Sequence, residues 1–168
     1  MKKRWLWLVM MLLMIVPIGA VVIGNIERAG FKPKVDARAV VLMDLNTGRI
    51  LLSKNGDIPL PPASMSKLMT ELVILDDIKT GKRSWDDEVI ISDLAADVRG
   101  VKIALKSGEI LTVRELFQSI TVYSANDAAV ALAEHFAGSE EAFVRKMNAK
   151  AKEIGLSSAT RFVNASGV

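Results

Sequence analysis

Pro61-Pro62-Ala63-Ser64-Met65-Ser66-Lys67-Leu68-Met69-Thr70 sets the frame for this 168-residue chain. The prolines keep the chain extended, because each ring disfavours a helical conformation in the residue before it. From about Ser64 the residues read as a helix that stops near Lys79-Thr80-Gly81. Leu68, Leu72 and Leu75, with Met65, Met69 and Val73, form a broad apolar arc at helical spacing, which is the expected buried face. Ser64 and Lys67 are three positions apart, so they stand one turn above each other at an edge of that arc. A hydroxyl and an amine held together beside a buried face can act as nucleophile and base. The same residues also suit a plain helix start, with Ser64 as the cap and Lys67 paired to Glu71 four residues on. On this stretch alone both readings stand.

The length suits one domain or part of one. Lys2, Lys3 and Arg4 precede an apolar run of twenty residues from Trp5 to Gly24. That pattern is a secretory signal or an uncleaved signal anchor at residues 1–24, with the remainder of the chain exported. The length favours an anchor, while Gly19, Ala20 and Gly24 leave cleavage open. The chain carries 22 basic and 19 acidic side chains, and setting aside Lys2, Lys3 and Arg4 leaves 19 against 19. The exported part is therefore neutral, which argues against nucleic acid as a partner, since that needs a basic face. With no cysteine and a single histidine, His135, no metal site and no cofactor are expected.

Residues 25–36 read as a linker interrupted by Pro33. Arg38–Asp44 and Arg49–Ser53 read as strands of a hairpin closed by Leu45-Asn46-Thr47-Gly48, with glycine where positive φ is needed. After the Ser64 helix, Val89–Ser92 is a short strand. Val101–Leu105 and Ile110–Val113 flank Ser107-Gly108-Glu109 as another turn or small hairpin. Helices follow at about Val113–Val122, Asn126–Phe136 and Glu140–Ile154. The middle one is rich in alanine, so it belongs in a packed interior. Before it stands Tyr123-Ser124-Ala125-Asn126-Asp127. This is either a helix entry capped by Ser124 or Asn126, or a loop aiming a hydroxyl and a carboxamide into a cleft.

Taken together, these motifs resemble the serine-type D-alanyl-D-alanine carboxypeptidases, the low-molecular-mass penicillin-binding proteins, which pair Ser-x-x-Lys with Ser-x-Asn. The likeness runs from about Ala37 to the end. It includes Asp44–Gly48, Pro62–Thr70, Leu105–Glu109, Tyr123–Ala129 and Thr160–Gly167. The resemblance implies an α+β fold of the β-lactamase/transpeptidase-like kind, of which residues 37–168 would be the N-terminal portion. It also implies a carboxypeptidase that removes the terminal D-alanine of peptidoglycan stem peptides ending in D-Ala-D-Ala. Ser64 would be acylated with Lys67 as base, Ser124 would relay the proton to the leaving D-alanine, and Asn126 would bind the substrate. β-Lactam antibiotics would be further ligands, and the protein would act on the extracytoplasmic face of the membrane, held there by its N-terminal segment or released if that is cleaved.

The chemistry of the residues agrees. A serine hydroxyl needs a base, and His135 reads better as a polar position on the alanine-rich helix, which leaves Lys67. The lysine must then be neutral, and burial beside an apolar face achieves that. The family also carries a Lys-Thr-Gly on a cleft strand after Ser-x-Asn. Lys79-Thr80-Gly81 has that composition but precedes the loop and suits an ordinary helix C-cap. The functional triplet is expected beyond Val168. Two other readings compete: a catalytically silent, truncated membrane protein that binds peptidoglycan or a partner, and a serine β-lactamase. Ala125 and the absence of any Glu after Glu153 weigh against the β-lactamase.

Overall fold

The computed structural model describes residues 34–168, so the signal or anchor at 1–24 and most of the linker lie outside the described residues. Among the described residues, no helix is long and apolar enough to cross a membrane. The chain divides into a unit ending at Ile58 and a unit running from Pro59 to Val168. In the first, β1 (Val40–Met43) and β2 (Ile50–Lys54) form an antiparallel hairpin. The Asp44 carboxylate accepts from Thr47 N at 2.8 Å and Thr47 Oγ1 at 2.6 Å, folding the loop as its sequence predicts. Val41, Leu42, Met43, Ile50 and Leu51 remain exposed.

The second unit begins with a 3-10 turn (Ala63–Ser66) that leads into α1 (Lys67–Lys79). Then come β3 (Glu88–Ile90), α2 (Asp93–Ala96), β4 (Ile110–Thr112), α3 (Val113–Tyr123), α4 (Asn126–Ala137) and α5 (Glu140–Glu153). β3 and β4 pair antiparallel, with Val89 opposite Leu111. Helix starts follow local chemistry. Ser92 and Ser139 accept from the N–H three residues on, and Thr112 with Glu115 forms a reciprocal capping box. The alanine-rich α4 is central: α1, α2, α3, α5 and β3 all pack on it. Ala128, Ala129, Ala131 and Ala133 are buried, and their small side chains admit close neighbours.

Two expectations need correction. The buried face of α1 is formed by Met69, Thr70, Val73, Ile74 and Asp77, with Lys67 at its start. Leu68 and Leu75 are exposed, as is Met65 in the preceding turn, and Leu72 is half-buried. The helix is apolar nearly all round, so periodicity could not choose a face. The choice fell on the side whose polar groups find partners: Thr70 Oγ1 donates to Ala165 O at 2.7 Å, and Asp77 accepts from Lys146 and Lys82. Ile74→Ala is therefore expected to destabilise the protein by about 2–5 kcal/mol, the usual cost of emptying a packed core position. Leu68→Ala should cost less than about 0.5 kcal/mol, as surface changes do. Urea unfolding of both variants checks the assignment, and equal losses would contradict it.

The second correction concerns the hairpin alternative for Val101–Val113: the turn at Ser107-Gly108 forms, with Glu109 N donating to Lys106 O at 3.0 Å, but Val101–Leu105 is not a strand. Its Ile103 and Leu105 N–H groups donate to the buried Asp127 carboxylate at 3.3 and 3.1 Å, and Ala104 between them has φ 61°. A side chain on α4 has replaced the ladder partner, and β4 pairs with β3 instead. The short helix α2 was not foreseen. Its signal, Ser92 as cap before Asp93, sits inside what read as a strand end.

Candidate active site

The entry to α1 is not an ordinary helix start. Ala63 has φ 50°, and Met65 N donates to Pro62 O at 3.2 Å. The 3-10 turn exposes Ser64 and delivers Lys67 to the buried side. No side-chain cap bond is made by Ser66, the residue at the cap position of α1.

Lys67 is 3% exposed. Its Nζ donates to Ser64 Oγ at 3.2 Å, to Asn126 Oδ1 at 2.7 Å and to Ser166 O at 2.9 Å. All three partners are uncharged. Burial lowers the pKa of the amine below its ordinary 10.5, because desolvation disfavours the ammonium form. The alternative pairing of Lys67 with Glu71 is not made; Glu71 accepts from Thr121 Oγ1 at 3.2 Å instead.

Asn126 and Ser124 come from the junction of α3 and α4. Ser124 closes α3 in the left-handed region, with φ 57°, and Ala125 in an extended conformation precedes the first turn of α4. Neither Ser124 nor Asn126 caps α4 with its side chain. Asn126 is 2% exposed, with Nδ2 donating to Arg99 O at 2.8 Å and its backbone N to Val101 O at 2.8 Å. Asp127, next in sequence, holds the same 99–105 segment. Asn126 thus joins that segment to Lys67. Ser124 is half-buried.

The backbone carbonyls of Arg99 and Ser166 went unnoticed in the sequence, because a carbonyl carries no residue-type signal. His135 lies on the last turn of α4, 3.8 Å from Asp87 Oδ2, where burial pushes its imidazole pKa below the usual value. It is not among the groups bonded to Lys67 or Ser64. Lys79-Thr80-Gly81 ends α1: Thr80 N donates to Asp76 O and Gly81 N to Ile78 O, both at 3.0 Å. Among the described residues, no cluster of three or more metal-ligating side chains occurs.

The family model described as D-alanyl-D-alanine carboxypeptidase matches residues 27–168. The chain belongs to that family. Among carboxypeptidase relatives, the D-alanyl-D-alanine carboxypeptidase DacF of Bacillus subtilis is 46% identical over 133 residues, covering 79% of this chain and 34% of its own. The crystal structure of the D-alanyl-D-alanine carboxypeptidase DacD from Francisella tularensis superimposes with a TM-score of 0.78 at 41% identity, covering 83% of this chain and 33% of that one. A penicillin-binding protein from Listeria monocytogenes in its cefotaxime-bound form gives a TM-score of 0.72 at 34% identity, covering 82% of this chain and 56% of that one. The fold of the carboxypeptidase-family chain is α+β and transpeptidase-like. The chain spans about a third of the length of the curated carboxypeptidase relatives it matches, and 54% of a D-alanyl-D-alanine endopeptidase of Pseudomonas aeruginosa.

Proposed function

We propose that residues 37–168 are the N-terminal part of a serine-type D-Ala-D-Ala carboxypeptidase domain, tethered or exported by a signal segment at 1–24 and a linker at 25–36. Its substrate would be a peptidoglycan stem peptide ending in D-Ala-D-Ala, and β-lactams would acylate the same serine. The observation that carries this reading is the buried Lys67 amine, 3.2 Å from the exposed Ser64 hydroxyl. Among the described residues, no carboxylate is one of its hydrogen-bond partners to hold it charged.

In the proposed reaction, Ser64 Oγ attacks the carbonyl carbon of the penultimate D-alanine and neutral Lys67 takes its proton. Ser124 relays a proton to the nitrogen of the departing D-alanine as the peptide bond breaks. Water then adds to the ester carbonyl and releases Ser64. Asn126 already uses Oδ1 and one Nδ2 hydrogen within the protein. The second Nδ2 hydrogen is the one it can offer to a substrate carbonyl. Exposure to the cell-wall side of the membrane follows from the proposed substrate.

The test is covalent labelling of the full chain by a fluorescent penicillin. Labelling that disappears in Ser64→Ala supports the enzyme. Its rate should rise with pH, because the fraction of neutral amine grows as pH passes through the depressed Lys67 pKa, with a midpoint below the ordinary lysine value of 10.5. No labelling of a folded sample would favour the catalytically silent binding protein instead.

A further inference from the structure

The Phe162–Val168 segment is tied down on two sides. From α5, Asn148 brackets Phe162, accepting from its N at 3.0 Å and donating to its O at 2.9 Å, while Glu140 accepts from Ala165 N at 2.9 Å. From α1, Thr70 and Lys67 donate to the carbonyls of Ala165 and Ser166. Within the segment, Gly167 N donates to Asn164 Oδ1 at 2.6 Å, which closes a turn. Gly167 has φ +80°, and a Cβ there would lie 2.1 Å from Ala63 O and 3.0 Å from Ser66 Cβ. Only glycine fits that contact, and it falls on the residue immediately before Ser64.

We propose that the Asn164–Gly167 turn is a positioning device for Lys67, in which Asn164 and Gly167 set the Ser166 carbonyl on Nζ and seat the turn against Ala63, so that the amine is aimed at Ser64 and kept from water. The catalytic consequence rests on the acylation reading above; the geometry does not. A neutral amine has two hydrogens and one lone pair. Asn126 Oδ1 and Ser166 O can only accept, so they take the two hydrogens. The lone pair is left facing Ser64 Oγ, the one neighbour of the three with a proton to give. Without the Ser166 carbonyl, a hydrogen is free to turn towards Ser64 and the base points the wrong way.

Displacing the turn has two opposed effects on the amine. Losing a carbonyl acceptor disfavours the ammonium, whereas admitting water favours it, and burial is the cause of the depressed value. The net shift should therefore be upward.

Full chain labelled with 13C at lysine Cε is titrated by NMR, with Lys67→Arg assigning the signal and circular dichroism checking the fold. In Gly167→Ala the Lys67 midpoint should rise by about one unit, leaving about tenfold less neutral amine at neutral pH. Asn164→Ala, which removes the acceptor for Gly167 N without a clash, should shift it the same way by less and decides the matter should Gly167→Ala not fold. Gly81 has φ +73° with open space around it, so Gly81→Ala measures backbone strain alone and should leave Lys67 unmoved. Penicillin labelling of the same samples should fall about 10²-fold in Gly167→Ala, the scale of misplacing a catalytic group by about 1 Å. An unchanged or lowered midpoint in the folded Asn164 and Gly167 variants overturns the proposal, whatever the labelling. A raised midpoint in a wild-type background that never labels would sustain the positioning role and sink the enzymatic reading.

Discussion

Lys67→Ala should cut acylation by a fluorescent penicillin about 10²–10⁴-fold, the usual contribution of a positioned general base, while Glu71→Ala changes it less than about twofold. Both residues lie on α1, but only Lys67 is bonded to Ser64, and Glu71 is occupied by Thr121. Time-resolved labelling of the full chain measures both rates. Removing Lys67 also leaves Asn126 Oδ1 without its buried donor, a cost to stability of about 1–3 kcal/mol. Thermal unfolding of the variant therefore has to accompany the rate. A variant that stays folded and does not label isolates the loss of the base. Equal losses from Lys67→Ala and Glu71→Ala would remove Lys67 from the reaction.

Asp127→Ala is the substitution expected to damage the fold most. The carboxylate is fully buried and accepts from the backbone N–H groups of Ile103, Leu105 and Ala128 at 3.3, 3.1 and 2.9 Å. Truncation orphans all three donors, at about 1–3 kcal/mol for each buried group left unsatisfied. Part of that returns if the 99–105 segment opens to water, so a net loss of about 3–5 kcal/mol is expected, against a typical total of about 5–15 kcal/mol. Asp127→Asn keeps one acceptor oxygen and should lose roughly half as much. Urea unfolding of both variants decides it: a loss below about 1 kcal/mol for the alanine variant would show that these bonds are replaced by water at little cost. The opening would reach the site, because the carbonyls of Arg99 and Val101 in the same segment hold Asn126.

Local chemistry was legible in the sequence. The pairing of Ser64 with Lys67 follows from their spacing, since residues three apart share an edge in a 3-10 turn as in an α-helix. The hairpin at Asp44–Gly48, the three later helices and the C-cap at Lys79-Thr80-Gly81 follow from turn and cap residues within a few positions of each other. Family membership was legible too, because it rests on several short motifs in order rather than on any one contact.

Tertiary structure alone decided which side of α1 is buried and what surrounds Lys67. Apolar side chains of several types lie nearly all around that helix, so the choice between Leu68 and Ile74 came from partners far along the chain. Thr70, Asp77 and Lys67 point inwards because Ala165 O, Lys146 and Ser166 O meet them there. The hairpin alternative at Val101–Leu105 was lost for the same reason, since Asp127, more than twenty positions on, claimed its N–H groups. Sequence spacing placed the amine beside the hydroxyl. Its burial depends on Asn126 and Ser166, residues 59 and 99 positions away, and a backbone carbonyl or an orphaned N–H acquires its partner only when the chain closes on itself.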